Sequence, residues 1–395
     1  MGRVRQQAPA PTRLDALDAL RGLAALGIVV LHVWMFDYGD AHRPEKGFLE
    51  LSIGELRLGV PLFFVLSGFL LYRPFVASAL DGRTPPRLTR YAIRRAARIV
   101  PAYWLALLVA FLLLRHLDHP SQAQWSELPV FALFLQNYFV ETLKHLDPPM
   151  WTLGVEVAFY AALPLVGWLG LRLARTRTRQ ALLCAAGLAI AGAVVAGIAM
   201  VGRWEPTLSN SLLTHTHEFA AGMLVAVAVH GRRSAHRTAL ALLAAGALLV
   251  VADGVWHARG MGSLELRRAL GDTPAVAGFA LIVAALATTT LRLRVLASAP
   301  LRLLGTLSYS VYLLHFLAIY WLRSEPGRWP EHLGWALLAT LGVTIPASVA
   351  SWLLVERPAL VWAQRATRTG RAGAGADAQP QSTPSRAKPA AAYTA

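Results

Sequence analysis

The chain is short of what a water-soluble domain of its size carries. Charged residues make up only 15% of its 395 positions, where soluble domains run near about 25%. Acidic residues are the scarcer sign, 22 against 38 lysines and arginines. Cysteine occurs once, as Cys184 inside an apolar run. That excludes an intramolecular disulfide and leaves the redox compartment open. The one glycine-rich run, RTGRAGAG near the C-terminus, has no strand before it and does not qualify as a phosphate loop. No element recurs in a second copy, which argues against the duplicated halves common in transporters.

What is present is apolar sequence. Hydrophobic residues reach 55% and mean hydropathy is +0.46. Apolar runs recur from Leu20 to Val355, too many and too long for one soluble core. The pattern predicts an all-α polytopic membrane protein with about ten crossing helices, near 19–36, 58–76, 99–114, 151–171, 181–201, 211–230, 238–256, 274–290, 305–322 and 333–355. The run Leu128 to Val140 is too short to cross a hydrocarbon core of roughly 30 Å as a helix. With that run left out, most arginines fall on one side, including the dense cluster at 172–179. The positive-inside rule then puts both termini in the cytoplasm and the protein, multi-pass, in the cell's inner membrane. The acidic stretch of Asp37, Asp40, Glu45, Glu50 and Glu55 faces the other way. The net charge of +16 sits in short loops, as topology determinants do, so nucleic acid is not an expected partner.

Three regions follow: an N-terminal cytoplasmic arm at 1–13, a ten-helix domain at 14–362, and a tail at 363–395 whose Ala, Gly, Pro, Ser and Gln predict disorder. The first apolar run is not a cleaved signal peptide, since it is long, carries Arg21 and His32, and lacks a clear small-x-small exit. Nothing in the sequence sets the oligomeric state.

Polar residues inside such runs are costly, and they mark function or a protected interior. Arg21 and His32 are eleven apart, close to three helical turns, so they share a face about 16 Å apart along the axis. A snorkelling arginine with a core histidine is the plainer alternative. Arg94, Arg95 and Arg98 can share a helix face just before Pro101, placed in the first turn of the third helix. Guanidinium forks and a helix N-terminus suit a phosphate-rich ligand, and anionic lipid headgroups suit them too. Ser67 beside Gly68 permits close helix packing and lacks the flanks of a nucleophile elbow. Glu156, with Tyr160 four residues on, needs a partner or a polar cavity; it is placed to orient a histidine, hold a hydroxyl, or tie helices together. His215 and His217, two apart, point to different faces of a helix, so no metal site is expected there. Ser308, Tyr312 and His315 form one polar stripe, and Glu356 ends the last helix as an interface anchor or salt-bridge partner.

Taken in order, LDALRGLAALGIVVLHV, FFVLSGFLL, RRAARIVPAYW, WTLGVEVAFYAALP, SYSVYLLH and VERP resemble the acyltransferase 3 family of integral-membrane O-acyltransferases over roughly residues 14–362. The resemblance implies transfer of an acyl group, usually acetyl, from cytoplasmic acyl-CoA to a hydroxyl of a carbohydrate, glycan or macrolide-type metabolite. No cofactor is held permanently, and the partners are acyl-CoA, the hydroxylated acceptor and membrane lipids. It singles out Arg21, His32, Arg95 and Arg98, and adds weight to Glu356. Relatives often carry an arginine where this chain has His215, and many carry a soluble esterase-like domain for which this tail has no room.

Joined to the residues, this gives a set of expected roles. His32 and Glu156 are the catalytic candidates, His32 as base or acyl carrier. Arg21, Arg94, Arg95 and Arg98 take the donor, while Ser67, Trp151, Tyr160, Ser308, Tyr312, His315 and Glu356 line the substrate path. A transporter or flippase of a glycan or lipid-linked sugar is the alternative from another class.

Overall fold

The computed structural model describes residues 13–38, 47–201, 205–263, 266–267, 270–289, 296 and 298–369. Among them every named element is a helix or a helical turn. Nine helical segments of the described residues are long and apolar enough to cross a membrane, so this is an all-α, multi-pass membrane protein.

In chain order, α1 spans Arg13–Tyr38, and α2 (Phe48–Gly54) passes through a tight turn into α3 (Gly59–Asp81). Then come α4 (Leu88–His116), the short α5 (Leu128–Ala132), α6 (Trp151–Leu173), α7 (Arg177–Val201), the short α8 (Pro206–Ser209), α9 (Leu212–Val229) and α10 (His236–Ala258). The last four are α11 (Thr273–Thr288), α12 (Ala299–Arg323), α13 (Leu333–Ser351) and α14 (Arg357–Thr369), the final two joined by a π turn at Trp352–Glu356.

The tenth apolar helix, α11, has 16 residues, about 24 Å of rise against a core of roughly 30 Å. Its two ends nevertheless match those of α10. Asp272 lies beside Asp253 and His257, and Thr288 accepts from the Ser234 amide just before α10 begins. The pair touch backbone to backbone where Gly246 meets Gly278.

The run Leu128 to Val140 does not cross. It folds as α5 plus tight turns, held on the flank of α4 by Tyr103 and Trp104, which donate to the Phe131 and Ala132 carbonyls at 2.8 and 3.0 Å.

Three boundaries differ from the sequence reading. The connection expected between the helices near 58–76 and 99–114 is only 82–87, because α3 runs to Asp81 and α4 starts at Leu88. The arginine-rich stretch is amphipathic at helical period, so it continues the helix. Pro101 therefore lies well inside α4, and no helix N-terminus stands beside Arg94–Arg98. At the other end, helix continues past 362 to Thr369. Residues 1–12, Asp40, Glu45, positions 370–395 and most of RTGRAGAG lie outside the described residues.

Small residues set how closely the helices approach. A Cβ on Gly68 of α3 would stand 2.1 Å from the Phe219 carbonyl oxygen of α9, and one on Gly222 of α9 would stand 2.0 Å from that of Val65. Likewise Gly22 of α1 abuts the Gly305 backbone of α12. Without an aqueous driving force between helices, such close approach supplies dispersion contacts that hold a bundle. The largest buried cluster centres on α3 and α9, with Phe64, Phe69, Tyr72 and Phe219 fully buried.

Candidate functional site

Both ends of the bundle can be read from contacts. At one end the Asp81 carboxylate receives His230 at 2.9 Å, and Arg177 donates to the Val227 and His230 carbonyls. At the opposite end Arg57 meets Asp272 at 2.6 Å, and the Trp151 ring lies 5.2 Å from that of His215.

The first of these ends holds a basin of about 830 Å³. Arg21 of α1 and Arg90, Arg94, Arg95 and Arg98 of α4 all line it. Their spacing puts them on one face of a continuous helix, which the extension of α4 back to Leu88 makes possible. Asp18 is also on the wall, and α14 closes the side with Leu360, Ala363 and Gln364. Sequence reasoning counted Arg90 in the arginine cluster without assigning it to the site, and it missed this last face. The signal was there, since Leu360, Ala363, Gln364 and Thr367 follow helical spacing, and Thr367 accepts from Arg94 Nε at 3.4 Å.

Arg98 is anchored from behind. Its Nη1 lies 3.5 Å from Glu356 Oε2, and its guanidinium stands 5.9 Å from the Tyr309 ring centre. The hydroxyl of Ser310 donates to the other Glu356 oxygen and sits 3.1 Å from that of Ser351. Glu356, almost fully buried, thus positions an arginine and lines neither the basin nor the chamber beyond it. The expected salt-bridge partner of Glu356 is Arg98.

Arg21 lines a second space as well. This narrow chamber of about 40 Å³ runs between α1, α3, α6 and α12, with Phe63, Thr152, Glu156, Ser308 and Tyr312 on its walls. Ser67 donates to Glu156 Oε1 at 2.7 Å, and Tyr160 donates to the same oxygen. Both hydroxyls are therefore committed to holding the carboxylate. Ser308, on the chamber wall, donates to the Gly305 carbonyl at 2.8 Å, so its hydroxyl proton is engaged. The Tyr312 hydroxyl is occupied by the Pro149 carbonyl and the Thr152 hydroxyl, so it contributes a wall. Trp151, expected on the path, does not line the chamber and packs on His215 instead.

One ring beyond the chamber, Tyr312 leads to a pair of histidines, its ring 5.9 Å from that of His315. His315 Nε2 lies 2.8 Å from His32 Nδ1, with the rings stacked at 5.0 Å. His315 Nδ1 faces the Tyr312 and Val311 carbonyls at 2.8 and 3.1 Å. Carbonyls only accept, so Nδ1 of His315 carries the proton and its Nε2 offers a lone pair. His32 must then donate from Nδ1, which leaves its own Nε2 bare. That is the tautomer of a general base, set by a second residue, as an orienting carboxylate sets it in hydrolase triads. Sequence reading placed His315 in one stripe with Ser308 and Tyr312; the structure turns it behind them, onto His32.

Two clusters lie off this path. His215 and His217 both reach Glu218 Oε1, at 3.1 and 3.9 Å, despite the expectation of different faces, because they flank the residue from one and three positions away. Asp253, His257 and Asp272 bring ligand-type atoms within 4.8 Å of one another, with Arg57 already on Asp272. The sequence reading had not singled out that trio.

Comparison with known proteins identifies the family. The family model described as an acyltransferase domain matches residues 14–354. The chain is 29% identical to acyltransferase MdmB of Streptomyces mycarofaciens over 89% of its length and 93% of that protein. It is 25% identical to nodulation protein 10 of Rhizobium leguminosarum bv. viciae, over 87% and 92% of the two chains. With O-acetyltransferase OatA of Staphylococcus aureus it shares 26% identity over 40% of its own length and 25% of that protein. No solved structure matches.

Proposed function

This chain belongs to the acyltransferase family, and from that premise we propose that it takes an acetyl group from cytoplasmic acetyl-CoA and places it on a hydroxyl of a carbohydrate, glycan or macrolide-type acceptor. The family and MdmB are described as acyltransferases and OatA as an O-acetyltransferase, which with the membrane-spanning helices supports a membrane O-acyltransferase. The donor, acceptor and orientation are our reading. In this reading the basin end of the bundle and both termini face the cytoplasm, which the arginine distribution supports, and the membrane is the cell's inner one.

One observation supports the donor above all: five arginines converge on a single basin, and one of them, Arg21, also opens onto the chamber. Guanidinium groups bind phosphate oxygens in fork geometry. The CoA phosphates rest in the basin and the pantetheine arm extends past Arg21 so that only the acyl end of the thioester enters the chamber. Arg21 to His32 is about 16 Å along α1, a distance that an extended arm covers.

His32 Nε2 takes the proton of the acceptor hydroxyl. The acceptor oxygen attacks the thioester carbonyl carbon, the C–S bond breaks, and the departing CoA sulfur takes the proton back from His32. Glu156, fixed by Ser67 and Tyr160, holds the acceptor hydroxyl or the reacting group in line.

The test is purified protein in nanodiscs with radiolabelled acetyl-CoA. His32→Ala should retain acetyl-CoA binding and lose transfer. Label left on wild-type protein would make His32 an acyl carrier, and well-folded protein that binds no acyl-CoA would overturn the proposal.

A further inference from the structure

A second large cavity, of about 790 Å³, lies between α7, α9 and α11, away from the arginine basin. Its long walls are apolar, with Leu188, Val195, Val225 and Ala280 among them. It follows α9 from His215 to Ala228, about 20 Å of helix. Its volume lies in the range of about 300–1,000 Å³ that takes a drug-sized ligand.

The polar end of this groove, where α9 and α11 begin, is chemically incomplete. Glu218 is 2% exposed, and its Oε2 has no hydrogen-bond partner among the described residues. The other oxygen, Oε1, faces His215 Nδ1 at 3.1 Å. His217 Nδ1 points at the Thr214 carbonyl at 3.0 Å and so carries the proton. The other nitrogen of that ring, Nε2, stands 3.9 Å from Glu218 Oε1 and is buried with no hydrogen-bond partner among the described residues. Two residues of the groove wall therefore each hold a buried acceptor without a donor, a costly state unless a ligand seated against them supplies one. Hydroxyl or ammonium groups do so, whereas a phosphate head would add negative charge beside Glu218 and Asp272.

The same end adjoins the reaction chamber. The His215 ring lies 5.3 Å from Phe64 and 5.2 Å from Trp151, and Phe64 is a wall of the chamber. One aromatic layer separates the two spaces.

We infer that this groove is the acceptor's binding site, entered sideways from the membrane, and that its occupant is an amphiphile with a neutral or amine-bearing hydroxylated head and an apolar body. This rests on the transferase reading and adds the acceptor's class and route. A phospholipid whose head carries an ammonium or hydroxyls offers donors too, but it brings them with a phosphate that would sit against Glu218 and Asp272.

The test uses two photoactivatable probes on the protein in nanodiscs: a dodecyl glucoside with a diazirine in its chain, and the same chain with a phosphate head. The glucoside should label peptides of α7, α9 and α11, and the phosphate probe should label them about tenfold less. Gly192 lines the groove with open space at its Cβ position, so Gly192→Phe fills the groove and should abolish that labelling in monodisperse protein. His217→Leu should reduce it about tenfold, the equivalent of one lost hydrogen bond near 1.4 kcal/mol. Equal labelling by both probes, or labelling unchanged in Gly192→Phe, would show a lipid-filled groove and overturn the inference. Acetyl-CoA binding is measured separately. Its absence would remove the transferase reading, while the head-group preference would still report on the groove.

Discussion

Arg98 and Glu356 meet at 3.5 Å across the join of α4 and the π turn, 258 residues apart in sequence order yet one ion pair in space. The carboxylate is buried, while the arginine side chain keeps 24% of its surface exposed toward the basin. Removing one partner leaves a poorly solvated charge behind. Glu356→Gln should therefore destabilise the protein by roughly 2 kcal/mol, less than the about 3–5 kcal/mol of a fully buried pair. The double variant Arg98→Met with Glu356→Gln should recover most of that loss in thermal unfolding. It should still bind acetyl-CoA at least about tenfold more weakly than wild type, the equivalent of one phosphate contact near 1.4 kcal/mol. A double variant with restored binding would mean that Arg98 serves the fold alone.

His315 sets the tautomer of His32 and touches no substrate in the proposed path. His315→Ala should lower kcat by about 10²–10⁴, the range of a general base's contribution, and leave KM for acetyl-CoA unchanged. His315→Gln, which keeps a side-chain acceptor, should recover part of the rate. An equal fall for both variants, or a rise in KM, would assign His315 to packing.

Gly68 has no room for a side chain. With Cβ 2.1 Å from the Phe219 carbonyl oxygen, Gly68→Ala must push α3 from α9 and should cost about 1–3 kcal/mol. Gly197→Ala, at a position with open space, is the control and should leave the unfolding temperature in detergent close to wild type. Similar behaviour of the two variants would remove the close-approach argument.

Asp147 offers a pH signature outside the crossing segments. It is 1% exposed with neither carboxylate oxygen hydrogen-bonded among the described residues, and burial pushes its carboxyl well above the usual range. The folded protein therefore holds a proton that the unfolded chain releases near about pH 4. Stability from this group is complete below the unfolded value and is lost as pH rises toward the folded one. Asp147→Asn should be more stable than wild type at neutral pH, with the gap closing toward about pH 4. A gap independent of pH would show that Asp147 stays ionised.

The sequence made the crossing helices and the arginine basin legible because both depend on patterns along one helix. Burial periodicity marks Leu20 to Val355 as membrane helices, and three- and four-residue spacing gathers Arg94, Arg95 and Arg98. What could not be seen was pairing between helices. Nothing along the chain says that His315 turns onto His32 across 283 residues, or that Glu356 belongs to Arg98. Spacing also failed where side-chain reach overrode it, as with His215 and His217 converging on Glu218. The arginine stretch before Pro101 continued the helix because its apolar and charged residues alternate at helical period, which a search for hydrophobic runs discards.

The chamber between basin and histidines has a size, and size is a gauge. About 40 Å³ accommodates a few heavy atoms, and its walls are held in place: Tyr312 by Pro149 and Thr152, and Glu156, through Oε1, by Ser67 and Tyr160. A two-carbon acyl group enters such a space as it stands. A longer chain needs Phe63 or Tyr312 to give way, and Tyr312 cannot move without breaking its hydroxyl contacts. Donors should thus be sorted by length at the thioester, however well the arginines hold the nucleotide they all share, and Phe63→Ala should widen the range of chains accepted.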